Sequence, residues 1–202
     1  MKRWCSVEVK GAAIQRVSPK ACRVMLREQR KQLLPDVVKK ASLLVSEKIM
    51  ASADFLNSNH IAYYLPHENE IDLSQVFIHA LALKKSVYLP VFYAPHDLKF
   101  YRVDKNTPYQ KNKLGILEPV SNDLISVDQL DLMVIPLVAF DACCHRLGRG
   151  LGCYDRYLQA AHHCKRIGVA YEFQKILEIQ PEAWDVPMDY IVTERADYKT
   201  ER

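Results

Sequence analysis

Glycine is scarce in this chain, with six in 202 residues, so the places where it clusters carry information that composition alone does not supply. Long apolar runs are missing as well. The stretch from Val134 to Phe140 is short and interrupted by Pro136, far below the roughly 20 residues that cross a bilayer, so no membrane partner is expected. The amino terminus carries charges and lacks the continuous apolar segment of about 7–15 residues that a secretory signal requires, which makes the cytoplasm the expected location. Six cysteines occur without a framework spacing and without a CxxC pair, so the expectation is free thiols, and neither a disulfide scaffold nor a structural zinc site. There is no Gly-Lys-Ser/Thr after a glycine loop and no dinucleotide fingerprint, which excludes those two phosphate motifs.

What is present is the balance of a globular protein: 49% hydrophobic residues, with 28 Lys and Arg against 24 Asp and Glu. The charge is unevenly placed. Residues 1–31 hold nine basic and two acidic residues, a net of +7, while the remaining 171 residues are slightly acidic. An anionic partner is therefore expected at the amino-terminal segment. Residues 1–17 show no sustained period and are expected to form a flexible extension, leaving 18–202 as one domain.

Two helices are predicted at the start of that domain, over Lys20 to Leu34 and, beyond Pro35, through Val37, Ala41, Val45 and Ile49. His60 to Leu65 and Val87 to Phe92 are short apolar, aromatic strand candidates. Between them Asp72 and Gln75 form a capping-box signal ahead of a helical apolar stripe. A strand, a helix and a strand in that order make a βαβ unit with parallel strands. Asp97 to Val103 is expected at a sheet edge and Asp104 to Asn112 in a loop. DLMVIPLV, Asp131 to Val138, is expected as the buried central strand. After a glycine loop come a helix from Tyr154 to His162, a strand from Arg166 to Tyr171, a short helix from Gln174 to Ile179 and a last strand from Asp189 to Thr193. The alternation predicts a single three-layer α/β domain with a largely parallel central sheet flanked by helices.

Three of the six glycines, Gly148, Gly150 and Gly152, fall within RLGRGLGCYDRYL. Glycine admits positive φ and leaves backbone N–H groups uncovered, so such a loop ahead of a helix can wrap an anion; a wide surface turn is the plain alternative. Arg146 and Arg149 add guanidinium groups suited to phosphate oxygens, and Asp155 adds a hard oxygen ligand suited to magnesium. Together they favour a nucleotide phosphate. On the first helix, positions 23, 27, 30 and 31 share a face that suits either a polyphosphate or RNA, so a nucleic-acid-binding module is a competing reading. A sugar-phosphate isomerase or acyl-transferase on a similar scaffold is a third, although it requires no aspartate beside the glycine loop.

The run VIPLVAFDACCHRLGRGLGCYDRYL closely resembles the signature of 5-formyltetrahydrofolate cyclo-ligases, also called methenyltetrahydrofolate synthetases. YLPHENEIDL at Tyr64 to Leu73, LGILEP at Leu114 to Pro119, AYEFQ at Ala170 to Gln174 and WDVPMDYIVTE at Trp184 to Glu194 match in order, and the resemblance spans about residues 18 to 195. It implies an enzyme that uses ATP as co-substrate and Mg2+ to convert 5-formyltetrahydrofolate into 5,10-methenyltetrahydrofolate, releasing ADP and phosphate. Small-molecule substrates, a monomeric state and no nucleic acid are the expected partnerships.

Carried over by position, the resemblance implies ATP contacts from Lys20 and Arg23 on the first helix. It also implies them from the loop residues Arg146, Leu147, Gly148, Arg149 and Gly150, continuing through Leu151, Gly152, Cys153 and Tyr154. Arg146 and Asp155 are the implied catalytic groups. Asp155 is an implied magnesium ligand, with Asp185 a second metal contact or else a solvated turn aspartate. Leu65, Glu70 and Tyr154 are implied to line the folate pocket. Cys153 stands where the family usually has an aromatic, Pro19 where it has a lysine four residues before Arg23, and Leu151 where glycine is frequent.

Overall fold

The computed structural model describes residues 3–8, 14–93, 97–113, 115–150 and 152–200. Its centre is an eight-stranded sheet whose strands run in the order Asp197–Lys199, Tyr190–Val192, Lys165–Val169, Leu132–Pro136, His60–Ala62, Ser86–Tyr93, Asp97–Val103 and Leu124–Ile125. The five strands from Tyr190–Val192 to Ser86–Tyr93 are parallel, and the remaining three join antiparallel at the two edges.

Alternation along the central strand divides the core. Leu132 and Val134 face one layer, with Val45 and Ile49 of helix α2 (Pro35–Ala51), following helix α1 (Pro19–Lys31), and with Phe55 of α3 (Ala53–Asn57) and Val76 and Ala80 of α4 (Ser74–Ala82). Met133 and Ile135 face the other layer with Phe100 and with Leu158 of α5 (Cys153–Ala160). This is the three-layer α/β arrangement that the strand and helix order implies. Gly168 makes the sheet's close approach possible, because a Cβ there would lie 2.8 Å from both Ile191 Cγ1 and Leu137 Cδ1. Among the described residues no helix is long and apolar enough to cross a membrane.

Several expectations need correction. Within the segment expected to be a flexible extension, Cys5–Val7 pairs antiparallel with Gln15–Val17 and with Glu178–Ile179, and Cys5 and Val7 are buried against Cys22 and Leu26 of α1. Apolar residues too few to show a period still seal the third core cluster. Gln174 to Ile179 is not a helix. Gln174 closes a 3-10 turn and donates from Nε2 to the carbonyls of Leu137 and Val138, while Ile179 is drawn into the small sheet opposite Cys5. Asp97–Val103 is not an edge, since Leu124–Ile125 adds outside it, and the expected loop holds Tyr109–Lys111 paired with Leu117–Pro119. Asp72 does not cap α4 as a box; it accepts from the Ser74 N–H at 2.8 Å.

Candidate active site

A cavity of about 610 Å³ opens at the carboxyl ends of the parallel strands, where Pro136, Tyr64 and Leu65 leave the sheet. That is where open α/β sheets hold ligands, and the volume suits a small molecule. The hairpin of Tyr109–Lys111 and Leu117–Pro119 forms one wall. Glu118, buried within it, accepts from the Phe92 N–H at 2.9 Å and from Asn112 Nδ2 at 2.8 Å, tying that wall to the sheet.

The glycine loop reaches the cavity through a tight turn. Ala139–Phe140 pairs with Arg146–Leu147, and between them buried Asp141 accepts from the N–H groups of Cys143 and His145, each at 3.0 Å. The same carboxylate accepts from the Ile179 N–H at 3.0 Å, so the turn that delivers Arg146 is locked to the small amino-terminal sheet. Beyond it, Gly150 adopts φ +103 and Gly152 φ +67, the latter at the start of α5. Arg23 lies beneath the loop, its Nε donating to the Gly148 carbonyl at 2.8 Å, and a Cβ on Gly150 would stand 3.2 Å from its Cζ. Arg146 is almost fully buried and donates from Nη2 to Asp155 Oδ1, while Arg3 Nη2 pairs with Asp185 Oδ2 at 2.6 Å. Burial weakens the hold of Arg146 on its proton, and the carboxylates of Asp155 and Asp185 oppose that effect.

On the opposite wall, Glu70 is 6% exposed and its Oε1 accepts from Arg30 Nη2 at 3.2 Å and Arg149 Nη2 at 2.9 Å. Its other oxygen accepts from the His67 N–H at 3.1 Å. Arg30, 1% exposed, also donates from Nε to the Glu68 carbonyl and from Nη1 to the Leu137 carbonyl. Glu68 and Asn69 both have positive φ, 52° and 56°, which turns the Glu68 side chain onto a fork of Arg27. Burial raises the Glu68 pKa, but bonding to Arg27 and the charge of Arg27 and Arg149 outweigh it and bring the carboxyl down to about 2. Tyr154 lines the same cavity, and burial pushes its phenol up.

Most of the expected site residues therefore meet here: Leu65, Glu70 and Tyr154, together with Arg23, Arg146, Gly148, Arg149, Gly150, Gly152, Cys153, Asp155 and Asp185. Two do not. Lys20 is exposed at the start of α1 and away from the cavity, and the Leu147 side chain is buried in the core beside α1. Leu151 lies outside the described residues. Four residues were not singled out as site residues from the sequence. Arg27 and Arg30 do follow Arg23 at spacings of four and three, but their basic face turns inward onto Glu68 and Glu70 and is not presented outward to a nucleic acid. Glu68 and Arg3 had no signal of their own.

Metal fit follows from the donors. Among the described residues no group of three or more His, Cys, Asp or Glu is arranged to cage a metal. Asp155 and Asp185 each already neutralise an arginine. Hard carboxylate oxygens without nitrogen or sulfur suit magnesium held by one or two carboxylates and completed by substrate phosphates.

A family model described as the 5-formyltetrahydrofolate cyclo-ligase family matches residues 15–194. The chain belongs to this family. It is an enzyme of the cyclo-ligase class, and its curated relatives carry that name. The 5-formyltetrahydrofolate cyclo-ligase of Escherichia coli strain K12 is 30% identical over 175 residues, covering 84% of this chain and 96% of the relative. That of Haemophilus influenzae is 37% identical over 137 residues, 65% of this chain and 73% of the relative. The solved structure of Aquifex aeolicus 5,10-methenyltetrahydrofolate synthetase superposes with a TM-score of 0.80 at 30% identity, covering 91% of this cyclo-ligase family chain and 93% of the other.

Proposed function

We propose that this chain converts 5-formyltetrahydrofolate into 5,10-methenyltetrahydrofolate with cleavage of ATP to ADP and phosphate, in a magnesium-dependent reaction. The observation that carries the reading is the meeting, in one cavity, of a glycine loop clamped on Arg23 and Arg146 with a wall built on Glu70, Leu65 and Tyr154.

The first wall has the chemistry of a polyphosphate site. Guanidinium groups of Arg23, Arg146 and Arg149 offer forked donors, and Gly150 and Gly152 keep the loop backbone free of Cβ atoms. The second wall suits a pterin: Tyr154 offers a flat face, Leu65 apolar contact, and the Glu70 carboxylate, fixed by Arg30 and Arg149, would accept from ring N–H and amino groups. Arg149 joins the walls, because it bonds Glu70 while belonging to the glycine loop.

In the reaction the formyl oxygen attacks the γ-phosphorus as ADP leaves with the bridging oxygen. N10 then bonds to the activated carbon, the carbon–oxygen bond to phosphate breaks, and N10 gives up its proton. No side-chain nucleophile is needed. The chain's task is to hold the two substrates in line and to stabilise charge on the transferred group, which Arg146 and Arg23 do as fixed donors in a partly dry site. A bound magnesium, held by Asp155 and, if Arg3 yields it, Asp185, supplies further neutralisation of phosphate charge.

The test is the absorbance of methenyltetrahydrofolate when purified protein meets 5-formyltetrahydrofolate, ATP and magnesium, with ATP or magnesium omitted in parallel. A rise only in the complete mixture is expected; a flat trace in the complete mixture, or a rise without ATP, overturns the reading.

A further inference from the structure

We propose that Arg3 is a fourth arginine of the nucleotide polyphosphate site, delivered by an amino-terminal strand outside the family's matched span. The inference rests on the reading of the glycine loop as the ATP phosphate site. The match to the family begins at residue 15, so nothing in that match assigns Arg3 a role.

Its backbone is anchored where a ligand-binding side chain needs to be. The neighbouring Cys5 pairs with Ile179 on one side and Val17 on the other, and the Gln180 N–H donates to the Trp4 carbonyl at 3.2 Å. Cys5 and Val7 pack on Cys22 and Leu26, so the strand is fastened to the same helix that carries Arg23. The side chain is 17% exposed, lines the cavity and reaches Asp185 at 2.6 Å.

Two further observations point to a missing acceptor. Arg3 Nε and Arg146 Nε are both buried and make no hydrogen bond, although buried donors in native proteins are almost always satisfied. Charge points the same way: Arg149 is offset by Glu70 and Glu68, while Arg3, Arg23 and Arg146 converge where the carboxylates are Asp155 and Asp185. Burial, and after it the charge of Arg3, loosens the proton of Arg23, as expected for guanidinium groups crowded together, and the charge of Asp185 opposes this only in part. An oxyanion with several oxygens satisfies both orphan donors and the surplus charge at once, and arginine's planar fork is suited to it.

The experiment is calorimetric titration of the full chain with magnesium-ATP and, separately, with inorganic tripolyphosphate. Wild type is compared with Arg3→Ala, Arg3→Gln and Arg3→Lys, and with Arg195→Ala at an exposed position as control. Arg3→Ala and Arg3→Gln should weaken both ligands by about tenfold or more, the loss of a charged hydrogen-bonding group, with Arg3→Lys in between. The KM for 5-formyltetrahydrofolate should stay within about twofold, a split that a merely structural role does not produce. Arg3→Gln keeps a polar group beside Asp185, so it reads the charge where Arg3→Ala fails to fold. If wild type binds neither ligand, the phosphate reading of the loop falls and the proposal falls with it. If wild type binds and Arg3→Gln binds equally well, the proposal alone fails. Weakened ATP binding with unchanged tripolyphosphate binding also overturns it, since Arg3 then touches something other than phosphate.

Discussion

Gly150 is the position where a single methyl group should separate the nucleotide half of the site from the rest. Its φ of +103 lies beyond the left-handed helical region that Asn or Asp tolerate, and an alanine forced there carries strain of about 1–3 kcal/mol. The new Cβ would also stand 3.2 Å from Arg23 Cζ and 3.4 Å from its Nε, so the guanidinium or the loop must move. Because Gly150 is exposed, the loop can relieve most of the strain by shifting, and what the shift breaks is the 2.8 Å bond from Arg23 to Gly148. Loss of a fixed charged donor of that kind is worth about 1.5–3 kcal/mol, so the KM for ATP should rise by about tenfold or more while stability falls by only about 1–2 kcal/mol. Two neighbours calibrate the reasoning. A Cβ on Gly148 meets Arg146 Nη1 at 3.4 Å, an ordinary contact, and one on Gly152 meets nothing within 4 Å, leaving only the cost of φ +67. Initial rates at saturating folate and varied ATP should therefore rank Gly150→Ala as the worst of the three. An ATP KM within about twofold of wild type for Gly150→Ala, or a larger effect at Gly152, would refute the geometry on which the ranking depends.

Arg30→Ala should destabilise the fold by about 3–5 kcal/mol in urea titrations, because it takes the more buried of two guanidinium partners from buried Glu70 and removes donors to two carbonyls. Arg149→Ala, at a side chain 28% exposed, should cost far less, and equal losses would contradict the burial argument. Glu68 has its pKa lowered from 4.5 to about 2, so its stabilisation is complete above about pH 4.5 and fades as pH falls through 2. The stability gap between wild type and Glu68→Gln should accordingly be flat near neutrality and close in acid; parallel curves down to pH 2 would show that the ion pairs contribute nothing. Asp155→Asn should lower turnover by about 100-fold or more with a native melting profile, as expected for a group that would hold the magnesium neutralising charge at the transferred phosphoryl. Wild-type turnover in that variant would remove Asp155 from the metal role.

The sheet was legible because its signals are local. Short apolar strands such as His60–Ala62 and Leu132–Pro136 alternate with amphipathic helices, and that alternation alone implies parallel pairing. Structure decided by partners distant in sequence was not legible. Ile179 looks like the end of an apolar helical turn until Cys5 is placed opposite it, and Asp97–Val103 looks like an edge until Leu124–Ile125 is added. The site divides in the same way. Gly148, Gly150 and Gly152 announce themselves by composition, and Arg23, Arg27 and Arg30 by helical spacing. Glu68 carries no such mark, since its importance comes from a positive φ that only the packed loop imposes.

The same division explains why the arginines could be read from sequence without their roles. Six arginines, from residues 3, 23, 27, 30, 146 and 149, converge on this cavity or its wall, and their environments separate five of them into two sets, with Arg149 joining the two through Glu70. Arg27 and Arg30 are satisfied by Glu68, Glu70 and main-chain carbonyls, so they build the wall on which a neutral ring system would rest. Arg3 and Arg146 each keep a buried N–H without an acceptor, and Arg23 has spent its Nε on the loop that it supports. Charge counted along the chain places Arg3 and Arg23 in one basic segment with Arg27 and Arg30, the pattern that nucleic-acid binders share. Counting satisfied donors separates them, and it is the unsatisfied set, gathered beside the glycine loop, that calls for a small polyanion deep in a cavity and not for an extended one on the surface.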